Sequence, residues 1–315
     1  MTMIRVTGLM TDQSLMANHD RATENLYESE KQVSSGLRAD TPGDAPEAMS
    51  EVLRVNRSLA VTGQIIQNAR EGATRIALME SILTQIDNIM IRAKGLAIRQ
   101  ANGTMDSQDR RIAAEEAERL LEQTVALANT RGGEQYLFGG TNISVPPFLL
   151  SDPQKEEPFV VSYQGNHKSS TIQQGFTPSF RQAGLLKTTM AGDMLLGDSK
   201  RAPNANLAFP AFRRFILGLK NNDDKAIQAA IGEFDLALRK VSERSAVLGT
   251  YERALRSTIS RLEKYRTDLK VLRSQTEDVD IPRAASRMAL SQNLLEVSAK
   301  ASRNILQNVQ NVLFH

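Results

Sequence analysis

The chain has 315 residues, 41% hydrophobic and 24% charged, which is long enough for roughly two or three domains and excludes a disordered chain by bulk composition. Its 39 basic and 36 acidic residues leave a formal charge of +3, too small and too interleaved for a nucleic-acid partner. Cysteine is absent, which excludes disulfides and thiolate chemistry, and aromatics at 5% with no tryptophan suit long helices packed through aliphatic side chains.

From the N-terminus, Leu15, His19, Ala22, Leu26, Val33 and Leu37 recur at helical spacing, with Ser29 or Glu30 interrupting the stripe. The helix is expected to start at Thr11 or Asp12, either of which can cap it, and to stop by Gly36. Arg38 to Pro46 holds two prolines, a glycine and two aspartates, a turn-rich break. A second helix should open at Pro46, since proline suits the first helical turn. Its stripe includes Met49, Val52, Leu59, Ile66, Ile76, Leu83, Ile86, Met90 and Ala97 and runs to about Ala101, the length of a rod.

Asn102-Gly103 breaks that rod, and Asp106 or Ser107 should cap a third helix closed by Gly132-Gly133. Between 134 and 206 prolines and glycines accumulate and short β-type runs appear at Phe159–Tyr163 and Ser170–Gln173. Gln164-Gly165-Asn166 between them predicts a hairpin or loop. Helix returns at about Pro210, and Asn222 or Asp223 caps another rod of some 50 residues. Along it Leu248, Leu255, Leu262 and Leu269 stand seven apart, a packing seam. After a break at Asp278 to Pro282, Leu290, Leu294, Val297, Ala301, Ile305, Val309 and Val312 trace the last stripe. Their mean step, roughly 3.67, is that of a nearly straight helix.

The order predicts a mainly α protein of long antiparallel rods with paired terminal helices and a small β-rich insertion. Residues 1–40 with 279–315 would form the terminal helical domain, 41–133 with 207–278 the rod domain, and 134–206 the outer insertion. A terminal helix of this kind frays alone in water and must bury its stripe against another helix, so the function is sought in assembly.

Chemistry leaves little trace. His19, His167 and His315 are the only histidines, too far apart in sequence for a metal site. Glu115, Glu116, Glu118 and Glu122 point in different directions on a helix and read as solvated charge, with Glu115 and Arg119 as a favourable pair. Phosphate-binding glycine patterns are missing. No catalytic residue, cofactor or metal is therefore expected. No apolar run could span a bilayer, and Met1 to Met10 lacks the apolar core of a secretory signal. A cytoplasmic chain, or one exported without a cleaved signal, fits these features.

Ser34-Ser35-Gly36-Leu37-Arg38, then Thr41-Pro42-Gly43-Asp44-Ala45-Pro46, resembles the segment after the first helix in the bacterial flagellin superfamily. Within that loop, Gly36, Arg38, Pro42, Asp44 and Pro46 carry the likeness, and Gly43 and Ala45 depart from it. Arg92–Ala97 with Gln100–Thr104 is similar to the end of the family's first long helix. Tyr136–Thr141, Pro146-Pro147-Phe148 and Tyr163-Gln164-Gly165 look like the entry to the outer domain of its hook–filament junction members. Prolines 42 and 46 favour those members over flagellin itself.

The resemblance implies a flagellin-like fold and a non-enzymatic structural subunit. It implies export through the flagellar apparatus, with an export chaperone, and a ring of copies between the hook-associated protein FlgK and flagellin. The terminal stripes, Leu15, Ala22, Leu26 and Val33 with Leu290 to Val312, would then be the assembly helices. The alternatives are a filament subunit or, in another class, a cytoplasmic coiled-coil scaffold or signalling rod.

Overall fold

The computed structural model describes residues 2–38, 46–102, 105–151, 159–168, 171–173, 185–187, 191–200 and 207–313. The chain is mainly α. Its elements are α1 (Thr2–Ser35), α2 (Pro46–Gln100), α3 (Ser107–Ala128), α5 (Ala208–Lys220), α6 (Asp224–Glu277) and α7 (Ile281–Leu313), with strands and a short helix between α3 and α5. The strands are β1 (Arg131–Gly132), β2 (Gln135–Tyr136), β3 (Phe148–Leu150), β4 (Val161–Tyr163), β5 (Thr171–Gln173) and β6 (Leu185–Lys187), followed by α4 (Asp193–Leu196). The chain divides into two compact units, unit 1 of residues 1–61 and 265–315 and unit 2 of residues 62–264.

The helix boundaries follow local chemistry. Asp106 caps α3, its carboxylate accepting from the backbone N–H of Gln108 at 2.8 Å and Asp109 at 2.7 Å. Asp223 accepts from Ala226 N at 3.1 Å before α6, and Asp280 from Arg283 N at 3.1 Å before α7. Two expected boundaries are displaced. α1 begins at Thr2 and passes through both Thr11 and Asp12. α3 ends at Ala128 with Asn129 as its cap, and Gly133 serves the turn between β1 and β2 with φ of +67°.

Within unit 2, one continuous apolar core runs from Ala69 to Leu255. Ile76, Met79, Leu83, Ile86 and Met90 of α2 lie inside it with Leu120 and Leu121 of α3, and Phe212 and Phe215 of α5 meet Phe234 of α6 edge to face. Of the heptad leucines in α6, Leu248, Leu255 and Leu269 are buried and Leu262 is half-buried.

The strands pair as three separate antiparallel ribbons, β1 with β2, β3 with β4 and β5 with β6. Gln164–Asn166 is therefore a loop and not the turn of a β4–β5 hairpin. Both edges of the β3–β4 ribbon are closed by side chains. Asn129 donates to Phe148 O at 2.8 Å and accepts from Phe148 N at 2.9 Å. On the other side Ser199 accepts from Val161 N at 2.7 Å and Asp198 from Tyr163 N at 3.1 Å. Unpaired strand edges are sites of unwanted pairing, and these are blocked.

Candidate assembly interface

In unit 1, α1 and α7 pack along each other over much of their length. Two ties set their register. His19 Nδ1 lies 3.1 Å from Ser298 Oγ, and Val279 N donates to Gly36 O at 3.0 Å. Residue numbers rise along one helix as they fall along the other, so the pair is antiparallel. The inner face of α1 is Ala22, Leu26, Ser29 and Val33, and that of α7 is Ala284, Met288, Ser291 and Leu295. Both sets step by four, three and four, the seam of a coiled coil. The register places Ala22 level with Leu295, Leu26 with Ser291, Ser29 with Met288 and Val33 with Ala284. A small residue faces a large one at every layer, which lets the two helices approach closely without a void. Half a heptad of slip would set Leu26 against Met288 and Ala22 against Ser291.

Ser29, which interrupts the apolar stripe in sequence, is thus a buried member of the seam. The last stripe is placed differently from a partner of α1. Leu290 is 60% exposed, Leu294 51% and Val297 63%, and Ala301 is half-buried. At 100° per residue this stripe lies about 120° round α7 from the seam. Large aliphatic side chains give stronger hydropathy periodicity than Ala and Ser, so the stripe visible in sequence marks the outer face while the inner one is nearly silent. On α1, Met16 and Tyr27 are likewise 71% and 69% exposed. The side chains of Leu15, Ile305, Val309 and Val312 lie outside the described residues.

The break after α1 has a defined task. Gly36 takes a φ of +73°, a conformation that L side chains adopt only with strain. The turn it allows carries Leu37 and Arg38 onto the junction between α6 and α7. There Arg38 N donates to Glu277 O at 2.7 Å, and Leu37 pairs with Asp278 as an antiparallel bridge. Gln32 adds a bond to Arg38 O at 3.2 Å. Pro46 opens α2, as its fixed φ suits the first helical position. Pro42 and Asp44 lie outside the described residues.

Elsewhere the titratable groups serve structure. In the acidic run of α3, Glu116 meets Arg92 at 2.8 Å, Glu118 meets Lys220 at 2.7 Å and Glu115 meets Arg119 at 3.5 Å. Exposed His167 places Nε2 2.7 Å from Asp193 Oδ2, a tie from its loop to α4. Burial pushes the Asp87 carboxyl up to about 6 and the Tyr163 hydroxyl up to about 12. Tyr163 donates to Phe138 O at 3.0 Å and accepts from Gly192 N at 3.2 Å. Burial also raises the Glu233 carboxyl, against the pull of Arg214 at 2.9 Å. Among the described residues no group of three metal-ligating side chains converges, and no helix is long and apolar enough to cross a membrane.

The family model described as the bacterial flagellin N-terminal helical region matches residues 6–143, and that of the bacterial flagellin C-terminal helical region matches residues 231–314. The flagellar filament 33 kDa core protein of Treponema phagedenis is 22% identical over 92% of this chain and 91% of its own. Flagellar hook-associated protein 3 of Salmonella typhimurium is 27% identical over 53% of this chain and 50% of its own. In fold, the chain is similar to Bacillus cereus FlgL, with a TM-score of 0.54 and 20% identity over 70% of this chain and 99% of the other.

Proposed function

From its membership of the bacterial flagellin family, to which this chain belongs, we propose that it is a structural subunit of the flagellum, standing at the junction between hook and filament. The observation that carries the reading is the outer face of α7. Leu290, Leu294 and Val297 are exposed although the seam with α1 is already filled, so the helix pair retains an apolar surface for a further helix. The likeness to FlgL and to hook-associated protein 3 supports the junction in particular.

In this proposal residues 1–40 and 279–315 form the terminal helical inner domain, 41–133 and 207–278 the long-helix rod domain, and 134–206 the β-rich outer insertion. Copies of the chain pack as a ring, with FlgK on one side and flagellin on the other. An export chaperone covers the apolar face beforehand, and the chain leaves the cell without a cleaved signal. Its part is mechanical and not enzymatic. The far ends of α1 and α7 gain their full order on assembly, since each exposed large side chain contributes roughly 1.5–3 kcal/mol only once covered. Protection of both ends from hydrogen exchange in the purified subunit would refute that coupling.

The match over nine-tenths of a filament core protein favours a second reading, a subunit of the filament itself. Adding the purified chain to hooks that end in FlgK separates the two. A junction subunit stops after a short ring and lets flagellin grow from it; a filament subunit polymerises alone into long fibres.

A further inference from the structure

Each helix of the α1–α7 pair carries a second row of side chains at the spacing of the seam. On α7 it is Arg283, Arg287, Leu290, Leu294 and Val297, all exposed, ending at half-buried Ala301. On α1 it is Met16, Asp20, Thr23, Tyr27, Glu30 and Ser34, all exposed. Both rows step by four, three, four, three and four, so each is spaced for a further coiled-coil contact. Seen from each helix's own N-terminus, the α1 row lies about 110° clockwise of the seam and the α7 row about 120° anticlockwise. In an antiparallel pair, turns of the same sense lead to the same face, so these two rows occupy opposite faces. The pair is a two-sided ribbon.

The two rows also differ in charge. Arg283 and Arg287 are the only charged members of the α7 row, and Asp20 and Glu30 the only ones of the α1 row. Nothing beside them reverses the contrast. On α1, Arg21 offsets Glu28 and Lys31 offsets Glu24; on α7, Lys300 and Arg303 outnumber Glu296. A contact of the α7 row with its own copy would bring arginines together, whereas α7 on α1 joins opposite charges. The register of the seam sets Tyr27 level with Leu290, Glu30 with Arg287 and Met16 with Ala301. A neighbour in the same orientation and at the same height therefore brings Tyr27 over Leu290, Glu30 beside Arg287, and the long Met16 onto a small alanine.

We propose that the α1 row of one copy docks on the α7 row of the next, so that each α7 lies between two antiparallel α1 helices, its own and its neighbour's. The contact is heterologous, with different surfaces on its two sides, and so propagates in one direction until a ring closes. It names what covers the outer face of α7, and it rests on the reading of the chain as a self-assembling flagellar subunit.

The native absence of cysteine permits a direct test. In cells whose only copy carries Tyr27→Cys with Leu290→Cys, or Tyr27→Cys with Leu294→Cys, mild oxidation of isolated flagella should give a ladder of cross-linked copies. The two cysteines lie on opposite faces of one copy, too far apart to bridge within it. Each substitution alone should give no ladder, and a cross-linked dimer from Leu290→Cys alone would overturn the proposal in favour of a like-to-like contact. Should the cysteine variants stay out of flagella, charge exchange decides. Glu30→Lys should lower incorporation about tenfold, as should Arg283→Glu with Arg287→Glu. Combining all three should restore it, an outcome that misfolding would not produce. A wild-type chain present in flagella, with neither ladder nor rescue, means that another protein covers α7 and overturns this contact alone. Absence of the wild-type chain from flagella overturns the flagellar reading itself.

Discussion

Unit 2 has a large apolar core, in which Ile76, Met79, Leu83, Phe212, Phe215 and Phe234 are fully buried. The α1–α7 seam of unit 1 is thinner. Its fully buried members are the small Ala22, Ser29, Ala284 and Ser291, its large ones, Leu26, Val33, Met288 and Leu295, are only half-buried, and Leu290, Leu294, Val297, Met16 and Tyr27 face out. Burial of a large aliphatic or aromatic side chain contributes roughly 1.5–3 kcal/mol and that of an alanine far less, so the difference is energetic as well as visual. Unit 2 holds its stabilising contacts within the chain. Unit 1 keeps a large part of its own in reserve for a neighbour, and an assembling terminus has to work in that way.

The contrast is broken most severely by emptying the core of unit 2. Phe234 packs against Phe212 and Phe215 with ring centroids at 5.1 and 5.7 Å, and Phe234→Ala should cost about 3–5 kcal/mol. Chemical denaturation of the purified chain measures it, and a loss under 1 kcal/mol would mean the core carries less than its burial implies. Gly36→Ala should come next. A side chain there meets nothing within 4 Å, so the cost is conformational, about 1–2 kcal/mol for a residue held at φ of +73°. It should be confined to unit 1, seen as faster amide exchange at Arg38 and Val279. Acceleration across the unit 2 core instead would show that the two units do not unfold separately.

What could be read in advance followed from side-chain size and from punctuation. Pro46, Asp106 and Gly36 mark helix ends through fixed φ, side-chain capping and positive φ, and the structure uses all three in those ways. The rods were legible because Ile, Leu and Met recur at core positions. The α1–α7 seam was half legible: Ala22, Leu26 and Val33 stood out, but Ser29 looked like an interruption and Ala284, Ser291 and Ser298 gave no hydropathy signal. A stripe of large residues says that a face must be covered without saying by which chain. The β3–β4 pairing was hidden for another reason. Three-residue strands leave no periodicity, and Asn129, Asp198 and Ser199 close their edges from distant positions.

A smaller effect sharpens the comparison from inside unit 2. Asp87 is half-buried on α2, with Oδ1 lacking a partner among the described residues and its carboxyl pushed up to about 6 by burial. A folded-state value above the ordinary 3.8 means that the folded chain holds the proton more tightly. The resulting penalty is absent below that ordinary value, grows as pH rises through the window and is complete above about 6. Asp87→Asn should therefore stabilise the chain at pH 8 by about 1 kcal/mol, allowing for the solvent that still reaches the group. It should have no effect at pH 3.5. An equal gain at both values would place the cause in packing and not in charge.

The smallest effect on the free chain should accompany the largest on assembly. Leu290→Gln, Leu294→Gln and Val297→Gln remove apolar area that is already in water, so in the purified subunit each should change stability by no more than about 0.5 kcal/mol. Glutamine is also a good helix former, which keeps α7 intact. Denaturation midpoints and helical content of the triple variant should match those of the wild type. Its incorporation into flagella should fail, because the face that a neighbour would cover no longer gains from being covered. Should the triple variant unfold more easily than Gly36→Ala, the outer face of α7 would belong to the subunit's own core, and the division between a self-sufficient unit 2 and an incomplete unit 1 would have to be abandoned.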